Sequence, residues 1–229
     1  IITAATGRGW ATTVIECVFD GNKAHVGGAI ANVTGGGAAY VENSIFTNNT
    51  AAYRGGAIYS TGSNHLTIIG SVFEGNIAAE GGAVSLEMGC VANSFFKDNL
   101  AEFGGAIYSY SRESTFTSCV FAGNSADYRG GIFYQHSGNL TISNCSLTGG
   151  SAFERGGAIY GSSGTADILN SILWDNSGQT GNELYFPSQQ VSHAMIVSIN
   201  CTDIRTGPDD MVVGAGADLI WGCTSKSGA

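Results

Sequence analysis

Asp20, Glu74, Lys97 and Asp175 share one position of a recurring pattern, each following an aromatic or aliphatic residue. Carboxylates grouped with a Lys or Arg base on one strand face could cleave a polysaccharide by proton abstraction or acid catalysis. Thr47, Ala122 and Thr148 interrupt the column, so it reads as solvated surface charge. The pair Asp209-Asp210 reads as a turn. His25, His65, His136 and His193 fall at different positions of the pattern, so no zinc ligand set forms and no metal or other cofactor is expected. No nucleophile with a neighbouring base can be assigned. The chain therefore reads as a non-enzyme with no catalytic residue.

The cysteines carry more information. Cys119 and Cys145 occupy the same position in consecutive repeats. Adjacent strands stand about 4.8 Å apart, within the range that a disulfide spans, so a staple and two stacked free thiols are both open readings. Cys201 is read as continuing this column with Cys223 in reach, whereas Cys17 and Cys90 lie too far apart to pair. The best surface for binding is a column of tyrosines, Tyr59, Tyr108, Tyr134 and Tyr160, beside a column of arginines, Arg54, Arg129 and Arg155. Stacked tyrosines would form an amphipathic ridge suited to sugars or to a protein partner.

What positions these residues is a repeat with a period of about 23 to 27 residues, the signature of a solenoid. Each copy has an aromatic-x-x-Asn and then a Gly-Gly pair, as in Phe46-Thr47-Asn48-Asn49 followed by Gly55-Gly56-Ala57-Ile58. Five residues before the aromatic anchor runs an unbroken apolar column, Val14, Val41, Ile68, Val91, Phe116, Ile142 and Ile168. Three before it stand Glu16, Asn43, Gly70, Asn93, Ser118, Asn144 and Asn170, a composition that predicts a sharp turn between two short strands. Two before it lie the small residues Cys17, Ser44, Ser71, Ser94, Cys119, Cys145 and Ser171, which let coils stack closely.

The recurring Asn suits a coil-to-coil amide ladder, and the Gly-Gly pair suits a corner where φ is positive or a Cβ would clash. A third strand, Ala-Ile-Tyr-like, should turn its middle column inward and both flanking columns outward. Gly150 in place of the ladder Asn, and Ile132 in place of the usual Ala, predict local irregularity in coils five and six. Three short strands per coil, about 8 coils and glycine corners predict an all-β, right-handed parallel β-helix. The expectation is a single domain over residues 1–229, with an N-terminal entry at 1–11, coils at 12–203 and an irregular C-terminal coil or cap at 204–229.

On the Phe-x-x-Asn and Gly-Gly-Ala-(Ile/Leu/Val) motifs, the coils resemble the repeats of chlamydial polymorphic outer membrane proteins. The stretch Ile172-Leu173-Trp174-Asp175-Asn176-Ser177 also resembles the final coils of bacterial extracellular β-helix proteins. The resemblance implies a secreted or surface-exposed adhesin, passenger or stalk. Pectate lyases and polygalacturonases share this architecture, but no acid cluster of their kind stands here. Ice binding would require a regular outward Thr column, and the threonines are scattered.

A net charge of -9 with only three lysines argues against nucleic acid and against anionic membranes. No apolar run reaches the ~18 residues of a spanning helix. Five sequons, at Asn32, Asn48, Asn139, Asn144 and Asn200, fit an extracellular glycoprotein. The N-terminal stretch offers no amphipathic capping helix, which leads to an expected partner: another copy of the chain, stacked end to end in a filament or stalk. Glycans or cell-surface molecules are the alternative partners.

Overall fold

The computed structural model describes residues 2–3, 12–33, 37–62, 65–110, 112–187, 196–204, 211–214 and 218–222. All regular structure among them is β-strand, arranged as four parallel sheets. One coil shows the rule. Ala39–Glu42 belongs to a first sheet, Ile45–Thr47 to a second, Thr50–Arg54 to a third and Ile58–Ser60 to a fourth. Each strand pairs in register with its counterparts one coil before and after, so Phe46 lies between Phe19 and Phe73. The three expected strands per coil are all present, and the stretch between the ladder Asn and the Gly-Gly pair adds another. Its inward residue is a column of alanines, with Ala51, Ala101 and Ala126 buried.

The corners follow the residue types. Glu16, Asn43, Asn93, Ser118, Asn144 and Asn170 all have φ between 47° and 54°, and Gly70 has φ 59°. A further left-handed column two residues after the anchor comprises Gly21, Asn48, Gly75, Asp98, Gly123, Gly149 and Asp175. At the Gly-Gly corner the two glycines do different work. The first, such as Gly55 at φ 62°, needs the left-handed region. The second, such as Gly56, has ordinary φ but sits so close to the next coil that a Cβ would overlap the Gly82 carbonyl oxygen.

Two ladders fill the interior. Rings of Phe19, Phe46, Phe73, Phe96 and Phe121 stack with centroids 4.7 to 4.9 Å apart. Asn22, Asn49, Asn76, Asn99 and Asn124 form a chain of side-chain amides, each Nδ2 donating to the next Oδ1 at 2.9 to 3.0 Å. From Asn49 onward the same Nδ2 also donates to the carbonyl of the preceding coil's Phe, as Asn99 does to Phe73 at 3.0 Å. Each backbone N–H bonds the next Oδ1 as well, so every amide in mid-ladder is satisfied without solvent. The small-residue column adds a third series, in which Ser44 N–H donates to Ser71 Oγ and Cys145 N–H to Ser171 Oγ.

The irregularity expected at coils five and six is a matched pair. A Cβ on Gly150 would meet Ile132 Cγ1 at 2.6 Å, the Gly157 carbonyl oxygen at 2.7 Å and Asn176 Oδ1 at 2.8 Å, so the Ile132 side chain takes up part of the space that a ladder Asn would need. Gly150→Asn alone is expected to cost more than ~2 kcal/mol by overpacking, and Ile132→Ala alone about as much through the cavity it leaves. Together, loss of the Ile132 side chain should relieve part of the overpacking while the Gly157 carbonyl contact remains, with a coupling of ~1 kcal/mol or more in a urea double-mutant cycle. Independent, additive losses would contradict this packing.

The seventh coil replaces Gly-Gly-Ala with Gly181-Asn182-Glu183. Glu183 is fully buried and accepts from Asn176 Nδ2, while Asn182 Oδ1 takes the Gly178 N–H at 3.0 Å. These side chains turn back onto the end of the amide ladder.

Candidate functional site: an aromatic and arginine corner

The Gly-Gly turn folds the end of each third-sheet strand against the middle of the following fourth-sheet strand. The arginine column reads Arg54, Glu80, Phe103, Arg129 and Arg155 in consecutive coils. The tyrosine column reads Tyr59, Ser85, Tyr108, Tyr134, Tyr160 and Tyr185. Strand alternation turns both columns outward across the corner, so the two groups expected to lie together do so.

Rings of Tyr108, Tyr134, Tyr160 and Tyr185 stack at 5.1, 5.0 and 5.5 Å. Each arginine leans onto the tyrosine of the next coil: Arg129 lies 5.4 Å from the Tyr160 centroid and Arg155 4.9 Å from that of Tyr185. Arg54 cannot follow the rule, because the next coil carries Ser85. Instead Tyr110 folds into the gap. Arg54 then lies over Tyr53 at 4.6 Å, Tyr110 at 5.0 Å and Tyr108 at 5.9 Å. Tyr110 also donates its hydroxyl to that of Tyr59 at 3.3 Å, which restores the ridge across Ser85.

Ion pairs fix the cations in place, Arg54 with Glu80 and Arg129 with Glu154 at 2.8 Å. Being partly exposed, such pairs contribute about 0.2–1 kcal/mol each and chiefly set geometry. Phe103 stacks on Tyr128 at 5.3 Å and meets Tyr134 edge-on at 5.4 Å. Between these groups opens a cleft of about 210 Å³ lined by Arg54, Tyr108, Tyr110, His136 and Ser137.

The ridge is less open than its outward register suggests. Tyr108 is only 6% exposed and Tyr160 only 5%, because stacked neighbours and arginine stems cover the ring faces. Exposed aromatic surface lies instead on Tyr53, Tyr128 and Phe153 in the third sheet. The expectation that both columns flanking the inward aliphatic face solvent fails on the other side too. Ala57, Ala83 and Ala106 are fully buried beneath the Gly-Gly corner.

Burial, the largest cause, raises the phenol pKa of Tyr108, Tyr110 and Tyr134 above the usual 10. The folded protein therefore holds these protons when the unfolded chain has begun to release them. Stability should be level below about pH 9 and fall as pH rises past the unfolded tyrosine value of about 10. Tyr108→Phe, measured by urea unfolding at pH 8 and pH 10.5, should show a smaller alkaline loss than wild type; an equal loss would remove Tyr108 as its source.

The other sequence candidates are scattered. Cys119 and Cys145 are free thiols in the core, and the Cys119 N–H donates to Cys145 Sγ at 3.4 Å. Contact with Cys145 and then burial hold the Cys119 thiol well above its ordinary pKa. Cys201 is disulfide-bonded but does not continue their column: it occupies the left-handed turn at φ 48°, and Thr202 takes the column position beside Ser171. Cys223, His193 and Asp209-Asp210 lie outside the described residues.

Asn32 is fully buried and donates to Ser60 Oγ at 3.2 Å, so a glycan cannot attach there in the folded chain. Asn48, Asn139 and Asn144 are exposed, and Asn200 is half-buried. In the interrupted column of charges Lys97 pairs with Glu74 at 2.9 Å, while Asp20 accepts from Thr47 and Asn48; Asp175 is not a member, since Trp174 pairs with Thr148 there and Asp175 takes the left-handed turn that follows, at φ 56°. Among the described residues no three His, Cys, Asp or Glu side chains converge where a metal ion would sit, and no helix is long and apolar enough to cross a membrane.

Sequence reasoning missed Tyr185, Tyr110, Phe103 and Glu80 as members of the corner. Tyr185 was the most legible, since Leu184-Tyr185 repeats the Ile-Tyr pair of earlier coils. The family description of a right handed beta helix region matches residues 2–173. No curated protein and no solved structure gives a significant match.

Proposed function

We propose that this chain, a member of the right-handed β-helix family, is a non-enzymatic structural or adhesive protein of the cell exterior that self-associates end to end. One observation carries this reading. In the first described coil Phe19, Asn22 and Ala24 are only half-buried, whereas Phe46 and Asn49 are fully buried and Ala51 nearly so one coil later. In this coil the aromatic and amide ladders reach their first described members, and the edges of Val18–Asp20 and Lys23–Val26 have no further strand beside them among the described residues. A strand from a second copy would find the hydrogen-bond pattern that each internal coil already satisfies. Such contact is heterologous and propagates into a filament unless it closes. Phe19→Arg should shorten or abolish assemblies seen by electron microscopy while leaving far-ultraviolet circular dichroism unchanged. Assemblies of undiminished length would count against this face.

The corner supports a second reading, adhesion to a glycan or a cell-surface protein. Tyrosine, phenylalanine and arginine are the residues enriched in interface cores, and here they are fixed by stacking before any partner arrives. A glycan array probed with wild type and with Tyr110→Ala tests it, since binding that survives loss of Tyr110 would exclude the cleft.

A further inference from the structure

Outside the corner, a thiol and an imidazole meet on the solvent face of the first sheet. Cys90 belongs to the strand Gly89–Ala92 and pairs in register with Thr67 of Leu66–Ile69. Its Sγ lies 3.7 Å from His65 Nε2, and His65 Nδ1 is 3.3 Å from Thr67 Oγ1. Cys90 is exposed and His65 half-buried, so both are reachable from solvent.

We propose that Cys90 and His65 form a binding site for a soft or borderline d¹⁰ metal cation of the zinc, cadmium or copper(I) class. A thiolate and an imidazole bound to one tetrahedral ion at bond lengths of about 2.3 and 2.0 Å stand about 3.5 Å apart, close to the 3.7 Å already present here. Sulfur and imidazole donors select these ions over magnesium or calcium. The parallel register fixes both backbones, and the Thr67 hydroxyl at Nδ1 orients the ring so that Nε2 faces the sulfur. On binding, the S–H proton leaves to solvent as the sulfur–metal bond forms, and Nε2 donates its lone pair. Two protein donors leave the remaining positions to solvent, so the site is open rather than a closed structural centre.

Burial and then the Glu113 carboxylate hold the Cys90 thiol above its ordinary pKa. The cation must therefore displace a proton, and His65 and Glu113 are the titratable groups facing Cys90 from the two neighbouring strands. The Glu113 charge that disfavours the thiolate favours the bound cation.

Cd²⁺ is the probe, titrated into the full chain under argon without reductant, which leaves the Cys201 disulfide intact, and followed by calorimetry and by thiolate-to-metal charge-transfer absorption. Cys17 supplies the internal control, an exposed thiol that donates to its own Ile15 carbonyl instead of meeting a histidine. The expected result is one equivalent bound per chain, lost in Cys90→Ser, weakened at least tenfold in His65→Ala and in His65→Gln, and changed less than twofold in Cys17→Ser. No binding at micromolar Cd²⁺, or His65→Ala and His65→Gln variants that bind like wild type, would overturn the site. Circular dichroism of each variant separates loss of the site from loss of the fold.

Discussion

Gly56→Ala is expected to destabilise the protein by at least ~4 kcal/mol, a large share of the roughly 5–15 kcal/mol that holds a typical domain folded. The φ of Gly56 is ordinary, so the cost does not come from backbone strain. It comes from a methyl group placed onto the Gly82 carbonyl oxygen and 2.6 Å from the Ile77 amide nitrogen, both backbone atoms of the next coil that cannot move without opening the stack. Gly21→Ala is the matched comparison. Gly21 has φ 65°, but a Cβ added there would meet nothing within 4 Å, so only the left-handed penalty of about 1–2 kcal/mol applies. Urea unfolding of the two variants separates close approach from conformational freedom. If Gly56→Ala were no worse than Gly21→Ala, the coil spacing would be softer than the ladders imply.

Asn99→Ala should rank next, at about 4 kcal/mol. Its amide donates to the Phe73 carbonyl and to Asn124 Oδ1, and its Oδ1 accepts from both the Asn76 N–H and Asn76 Nδ2. Removing it takes the acceptor from the buried Asn76 N–H and Asn76 Nδ2, an unpaired donor costing about 1–3 kcal/mol, takes one donor from the Phe73 carbonyl, and adds a cavity in the amide ladder. Asn22→Ala touches the same ladder at its half-exposed end and should cost under ~1 kcal/mol. Loss that grows from the end to the middle of the ladder, read by thermal unfolding, is the signature of a satisfied buried chain of amides. Equal losses at Asn22 and Asn99 would contradict it.

Most of the coil was legible because its determinants are local and repeat. A left-handed turn selects Asn or Gly, a close approach selects Gly, and an interior column stays apolar at every copy. The third sheet escaped because its inward residue is alanine, which signals neither strand nor core strongly, although Ala24, Ala51, Ala78, Ala101, Ala126 and Ala152 repeat as regularly as the phenylalanines. The aromatic corner was half legible. Register alone placed Tyr108 beside Tyr134, but the burial of Tyr108 depends also on Arg54 from another coil and on Tyr110 from a loop of variable length. Asn32 shows the same limit, since a sequon is read from three residues while burial is set by Ser60 a full coil away. Likewise the match of Ile132 to Gly150 crosses a corner, so the sequence showed two departures where the packed coils contain one exchange.

Sedimentation velocity over a range of protein concentrations, on wild type beside Phe19→Arg, tests the central proposal most directly. End-to-end association predicts that wild type shifts to larger, increasingly elongated species as concentration rises, while Phe19→Arg stays at the mass of one chain, 23.5 kDa. A wild type that remains a single 23.5 kDa species at every concentration would contradict it.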